Sequence, residues 1–194
     1  MRVIGGRWRG RHLDAPEGRG VTRPTTDRVR EAMASMVLAA CGLSLTSVHV
    51  LDAFAGSGGL GIELLSRGAA SATFVEMNRK SAAVVRRNLT QLDVRSPEAR
   101  VLSGDIFRLS ARGSLPGAPF QIVLLDPPYA TDPEDLAQLL ASLMEHGSLT
   151  EGSLVLYERA EQNKTLQMPL LMPISSKRYG STHIDLLRVE GVEQ

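Results

Sequence analysis

Cysteine is almost missing from this chain. Cys41 is the one thiol among 194 residues, so no internal disulfide can form and no cysteine set can hold an iron–sulfur cluster. The four histidines, His12, His49, His146 and His183, lie far apart and none pairs with Cys41 at zinc-ligand spacing. They read as surface or core-edge residues, and no metal is expected. No apolar run approaches the ~20 residues of a membrane span. The basic N-terminal residues have no apolar stretch behind them, which argues against a signal peptide. The expectation is a cytoplasmic protein. Apolar residues make up 43% and charged residues 22%, enough for a core without disulfide or metal support. The length fits one domain with a small appendage.

Lysine is absent from the first thirty residues. Net charge is only +1, yet residues 1–30 carry eight arginines (Arg2, Arg7, Arg9, Arg11, Arg19, Arg23, Arg28 and Arg30) against Asp14, Glu17 and Asp27, a surplus of five positive charges. The remainder holds fourteen basic and eighteen acidic residues. A basic head on a slightly acidic body suits a polyanionic partner or a solvated face. The planar guanidinium fits phosphates and base edges, although an arginine-rich genome would leave the same bias.

Residues 2–14 (RVIGGRWRGRHLD) read as a β-hairpin, with Gly5, Gly6 and Gly10 permitting bends. Trp8, among three arginines, either stacks on a base or packs the hairpin onto the body, and the second reading is preferred. Residues 15–24 read as a loop. A helix starts at Thr25-Thr26, with Val29, Met33, Met36, Val37 and Ala40 on one face, and Gly42 ends it. Apolar runs at 48–54, 72–75, 99–102, 120–125 and 153–157 read as strands. Helical patterns at 60–67, 79–92, 106–111 and 133–145 lie between them. This alternation predicts a parallel sheet covered on both faces. Residues 166–174 and 182–189 read as two consecutive strands, an antiparallel ending.

The sharpest local motif is LDAFAGSGGLG, Leu51 to Gly61. Gly56, Gly58 and Gly61 satisfy G-x-G-x-x-G, which dinucleotide enzymes share. Asp52 separates the readings. A pyrophosphate would be repelled by this carboxylate, whereas S-adenosylmethionine brings a cationic sulfonium and an α-ammonium that Asp52 can accept from. Glu76 ends the second strand, where a carboxylate accepts from ribose hydroxyls, and Met77 flanks the adenine. Asp105 follows the third strand, placed for the adenine amino group, with Ile106 covering a face. The alternative for Glu76 and Asp105 is a loop charge or a helix cap. With Phe54 and Ser57 in the same loop, these residues form the predicted cofactor set.

QIVLLDPPYA, Gln121 to Ala130, runs a strand into Asp126-Pro127-Pro128-Tyr129. Two prolines cannot continue a strand, and they lack N–H groups, so the corner offers acceptors with few competing donors. An exocyclic base amine is a poor nucleophile because its lone pair is delocalised into the ring. Two acceptors, the Asp126 carboxylate and a proline carbonyl, can hold its two N–H groups and turn the lone pair toward a methyl donor. Whether Asp126 also takes the proton stays open. Tyr129 would stack on a base that is flipped out or unpaired.

RVIGGRWRGRHL, TRPTTDRVREAM, LDAFAGSGGLGIELLSRGA, FVEMNRKSAAVVRRNL and DPPY together make nearly the whole chain resemble the bacterial methyltransferases that form N2-methylguanine in small-subunit (16S) ribosomal RNA, the D type of that series. DPPY and the glycine loop alone mark only amino-methyltransferases; TRPTTDRVREAM is far more specific. The resemblance implies a class I S-adenosylmethionine-dependent methyltransferase fold. This is a Rossmann-like α/β domain with a mostly parallel seven-stranded sheet and an antiparallel C-terminal strand, plus a small N-terminal β-hairpin. Residues 1–24 would be a basic hairpin extension and loop, and 25–194 the methyltransferase domain. The implied substrate is a guanine of 16S rRNA in an assembled or assembling 30S subunit. Carried over by position, Arg23, Thr25 and Arg28 border the methionine end of the cofactor or the mouth of the base pocket. GGRWRG stands where a lysine-rich or alanine-containing variant is common, which touches the RNA surface, not the chemistry. Arg7, Trp8, Arg9, Arg11 and Arg23 are the RNA-binding candidates, and a monomer is expected.

Three rivals remain. Amine methyltransferases acting on DNA adenine-N6 or protein glutamine use the same corner, often with Asn in place of Asp126, but no dedicated DNA-recognition domain fits in 194 residues. An NAD oxidoreductase is opposed by Asp52 and the DPPY corner. A non-catalytic RNA-binding or assembly factor is opposed by the intact Asp126-Pro127-Pro128-Tyr129.

Overall fold

The computed structural model describes residues 1–15 and 26–191. Its elements in chain order are α1 (Asp27–Ala40), β1 (His49–Asp52), α2 (Gly59–Ser66), β2 (Ser71–Glu76), α3 (Arg79–Gln91), β3 (Ala99–Ser103), α4 (Ile106–Ser110), β4 (Phe120–Leu125), α5 (Pro133–Glu145), β5 (Leu149–Ala160), β6 (Leu171–Tyr179) and β7 (Thr182–Val189). They form one seven-stranded sheet in the order β3-β2-β1-β4-β5-β7-β6. Strands β1 to β5 run parallel to one another, and β7 is antiparallel to both β5 and β6.

The strands are apolar on both faces because both faces are covered. Val50, Phe74, Ile122, Leu124 and Leu156 pack with Met33 and Val37 of α1, Ile62 and Leu65 of α2, and Val85 and Leu89 of α3. Leu51, Val75, Val123, Leu125 and Val155 pack with Ile106 of α4 and Leu136 and Leu140 of α5. Local chemistry sets the helix starts. Thr26 Oγ accepts from Val29 N, Asn78 caps α3 through Lys80 N and Ser81 N, and Asp132 caps α5 ahead of Pro133.

Two expectations need correction. The strand predicted at 166–174 lies at 171–179. Leu166 is buried and Met168 turns the chain, with Leu171 N donating to Met168 O at 2.9 Å. The edge strand then runs on through the mostly exposed Ser175–Arg178. The apolar run therefore marked the approach to the strand, while the strand itself is a polar sheet edge. Pro173 is tolerated there, beside a register shift. The predicted hairpin at 2–14 is a loop closed by a single bridge, Arg2 to His12, with a 3₁₀ turn at Gly6–Trp8.

That loop is fastened to the body. Val3 and Leu13 are in the α1–α3 core. Glu63 of α2, wholly buried, accepts from Ile4 N and Gly5 N at 2.8 Å each and from Arg67 Nε at 2.9 Å. Gly6 has a positive φ of 76°, and any Cβ there would run into the Ser66 carbonyl. Removing one member of a buried charged network typically costs about 3–5 kcal/mol. Glu63→Ala is therefore expected to lower the thermal midpoint by roughly 10 °C. A melt within about 2 °C of wild type would show that the head is held by its apolar anchors alone.

Candidate active site

The order of strands reverses beside β1, whose neighbours are β2 on one side and β4 on the other. Ligands of open α/β sheets bind at the carboxyl edge of such a switch point. Along that edge the chain places Asp105 after β3, Glu76 at the end of β2, Asp52 at the end of β1 and Asp126 after β4. Four carboxylates thus line four adjacent strands. Among the described residues, no group of His, Cys, Asp and Glu could hold a metal ion.

Asp52 is the most buried of the four. It is 5% exposed, and its Oδ2 accepts from Gly61 N at 3.1 Å. Burial pushes its carboxyl up to about 7, against the pull of the Gly61 amide; the negative charges of Asp126 and Glu76 push the same way. A buried carboxyl whose ionised form lacks a positive partner gains when a cation arrives beside it. Gly61 permits the close approach, since a Cβ there would stand 2.9 Å from Asp52 Oδ2.

Glu76 shapes the glycine loop itself. Oε2 accepts from Gly56 N at 2.8 Å and Oε1 from Asn78 N at 2.7 Å. Gly56 and Gly58 both have positive φ, 55° and 80°, and Gly58 caps α2. Ser57 is buried, Met77 is 72% exposed beside Glu76, and Phe54 meets Phe107 edge-on at 6.0 Å. Asp105 acts as a helix cap, accepting from Phe107 N at 3.0 Å, and Ile106 is buried in the core. These residues lie at the carboxyl ends of β1, β2 and β3 and in the loops that follow, and their carboxylates stand where a pyrophosphate site would need positive charge.

At the neighbouring corner Asp126, Pro128 and Tyr129 are exposed and Pro127 is buried. Thr131 N donates to Pro128 O at 2.9 Å, closing the turn. Arg28 is exposed on the first turn of α1. Arg23 and Thr25 lie outside the described residues.

The head arginines divide in two. Arg7 pairs with Glu98 and stacks over Trp8 at 3.9 Å, and Arg11 Nη2 donates to Gln91 O at 2.7 Å. Trp8 is half-buried against the core. Arg9 is exposed, makes no ion pair among the described residues, and lines a groove of about 510 Å³ with Arg2, Arg67 and Gly5.

Supporting residues went unnoticed in the sequence. Asn88, fully buried in α3, donates to Ser57 O at 3.0 Å and Asp14 O at 3.1 Å, and accepts from Asp14 N, tying the glycine loop to the head. Asp185 accepts from Arg159 Nε at 2.7 Å, Arg159 Nη1 donates to Asn163 O, and Asn163 Nδ2 donates to Tyr129 O at 3.1 Å. Arg159 and the Ser176 hydroxyl hold the Asp185 carboxyl below its ordinary value against the effect of burial. An Asn inside a helix and an Asp inside a strand carry no spacing signature; only the fold brings them to the site.

Comparison with known proteins agrees with this architecture. A family model described as conserved hypothetical protein 95 matches residues 1–188. The ribosomal RNA small subunit methyltransferase D of Escherichia coli is 37% identical over 169 residues, covering 87% of this chain and 79% of that protein. A solved Escherichia coli protein described as a candidate methyltransferase superposes with a TM-score of 0.79 at 33% identity, covering 99% of both chains. More distantly, a candidate methyltransferase solved with S-adenosylhomocysteine shares the fold at 14% identity and a TM-score of 0.64, over 87% of this chain and half of that one. The chain belongs to the family described as conserved hypothetical protein 95, and within it to the ribosomal RNA small subunit methyltransferase D proteins.

Proposed function

We propose that this protein is an S-adenosylmethionine-dependent methyltransferase of small-subunit ribosomal RNA that methylates the exocyclic N2 amine of a guanine. The observation that carries the reading is the pairing of a cation-receptive carboxyl, Asp52, with the acceptor corner Asp126–Tyr129 across the β1/β4 switch point.

When bound, S-adenosylmethionine supplies an electrophilic methyl group on a sulfonium. The chain's residues do the rest. Asp52 meets the positive charge of the methionine end, and Gly56, Ser57 and Gly58 let the backbone pass close to it. Glu76 keeps lone pairs beyond its two amide bonds for the ribose hydroxyls. Met77 would flank the adenine, with Asp105 placed for its amino group and Ile106 covering a face. Asp126 and the Pro127 carbonyl hold the two amine hydrogens, so that the nitrogen lone pair faces the methyl carbon. Tyr129 stacks on the base and Pro128 stiffens the turn. Arg28, exposed on the first turn of α1, would border the methionine end of the cofactor or the mouth of the base pocket.

The test is transfer of a labelled methyl group from S-adenosylmethionine to 30S subunits from cells lacking this protein, followed by nucleoside analysis. N2-methylguanosine is the expected product. A different methylated nucleoside would move the reading to another amine, and labelled protein to a glutamine target.

Arginine contacts to phosphate position RNA without reading its sequence. Binding to 30S should therefore weaken steeply with salt. Arg9→Gln is expected to reduce the slope of log affinity against log salt by about 1. Arg7→Gln and Arg11→Gln, whose side chains hold the head to the body, should act chiefly on stability. A flat salt dependence would remove the head from the RNA surface.

A further inference from the structure

Strands β4 and β5 run parallel, with Leu124 beside Leu156 and Leu125 beside Tyr157. Pairing ends there, and the same register continued one residue past β4 would put Asp126 beside Glu158. Alternation fixes the face. Leu124 and Leu156 belong to the core under α1 and α2, and Leu125 and Tyr157 to the core under α5. Glu158 therefore returns to the α1 side, the side that Asp52 takes beside Leu124, and Asp126, the residue after β4, would do so on the same alternation. Neighbouring strands stand about 4.8 Å apart, the scale of one base edge. The two carboxylates differ in setting: Asp126 is exposed, whereas Glu158 is 5% exposed and engaged with its surroundings. Its β7 neighbour in register is the apolar Ile184. Glu158 lies two residues before the carboxyl end of β5, close to the corner that the reading above gives to the amine.

We propose that Glu158 is the specificity-determining residue of the base pocket, accepting the N1–H of guanine while Asp126 and Pro127 hold the N2 amine. This rests on the guanine-N2 reading above and gives it a cause. Guanine alone among the amino-bearing bases has a ring N–H donor next to its amine. Adenine presents N1, and cytosine N3, as an acceptor in the equivalent place. A carboxylate beside Asp126 therefore attracts one edge and repels the other two. Sites built to hydrogen-bond a substrate group discriminate strongly against analogues lacking it, because the buried partner is left unpaired.

The discriminating substrate is 2-aminopurine, which keeps the 2-amino group but has an acceptor at N1. Subunits are reconstituted with RNA carrying guanosine or 2-aminopurine riboside at the methylated position. Wild type is expected to prefer guanosine by at least about 10²-fold. Glu158→Gln, whose amide can donate as well as accept, is expected to bring the two rates together. Glu158→Asp keeps the charge a methylene further back and should keep the preference at reduced rate. Equal wild-type rates on the two substrates would overturn the proposal and leave guanine-N2 methylation standing. So would a Glu158→Gln protein that keeps the wild-type ratio. If Glu158→Gln does not fold, the wild-type ratio and Glu158→Asp still decide. Failure of wild type to methylate guanosine would instead overturn the underlying reading.

Discussion

Asp126→Ala is expected to lower the rate of methyl transfer by about 10²–10³-fold, the scale on which a single preorganised polar contact to the reacting group acts, with S-adenosylmethionine affinity nearly unchanged. The reason lies in the division of the site. Asp126 follows β4 and is exposed at the corner, while Asp52 is buried at the end of β1 and bonded to Gly61. Charge links the two: Asp126 is one of the anions that raise the Asp52 carboxyl. Removing it leaves the glycine loop intact and takes away the acceptor that turns the amine toward the methyl group. Asp126→Asn separates the two parts that Asp126 can play. Its amide oxygen still accepts one amine hydrogen but carries no charge. If Asn retains most of the rate, holding the N–H group is the contribution. If Asn is as slow as Ala, the negative charge, or its capacity for a proton, is required. Wild-type turnover in Asp126→Ala would remove the corner from the reaction. Cofactor affinity should be measured on the same samples, since a fall there would instead mean that the β4 turn supports the glycine loop.

Why some of this was legible before the structure, and some not, follows from the range over which each signal acts. The alternation of strand and helix, the glycine loop and the proline corner are local, and each lies within about two residues of its expected place except at β5, expected at 153–157 and found at Leu149–Ala160, and at the sheet edge. There an apolar stretch, Leu166 to Leu171, drew the expected strand toward the core, whereas an edge strand needs few apolar residues. The carboxylates at successive strand ends were legible because a parallel sheet places every such residue on one edge. Glu63 was not, because an acidic residue in an apolar helix gives no hint that it binds amides about sixty positions earlier. Charge counting identified a basic head but could not say that Arg7 and Arg11 are spent on Glu98 and the Gln91 carbonyl. Pairing is a long-range fact, and composition holds no record of it.

Asp52→Asn should stabilise the cofactor-free protein above neutral pH and weaken S-adenosylmethionine binding, two opposite effects of one buried charge. The carboxyl is raised in the folded state from 3.8 to about 7. Below about pH 4 it is protonated in both folded and unfolded chains, and its ionisation costs nothing. As pH rises toward 7 the unfolded chain ionises first, so the native state loses relative stability. Above about 7 the loss is complete, on the order of 4 kcal/mol. Asparagine keeps an acceptor for the Gly61 amide and has no charge to bury. Its melting temperature should exceed that of wild type at about pH 8 and converge with it in acid, where the carboxyl is neutral too. The cofactor reverses the order, because a bound cation favours the ionised form. Wild-type affinity should then rise by up to about tenfold per pH unit below 7 and level off above it, with a proton released on binding at lower pH. Asn should bind weakly, with little pH dependence. Calorimetric titration in buffers of different ionisation enthalpy measures the proton directly. Binding with no proton release at about pH 6, and an affinity flat across neutrality, would mean that Asp52 is not the group facing the charge.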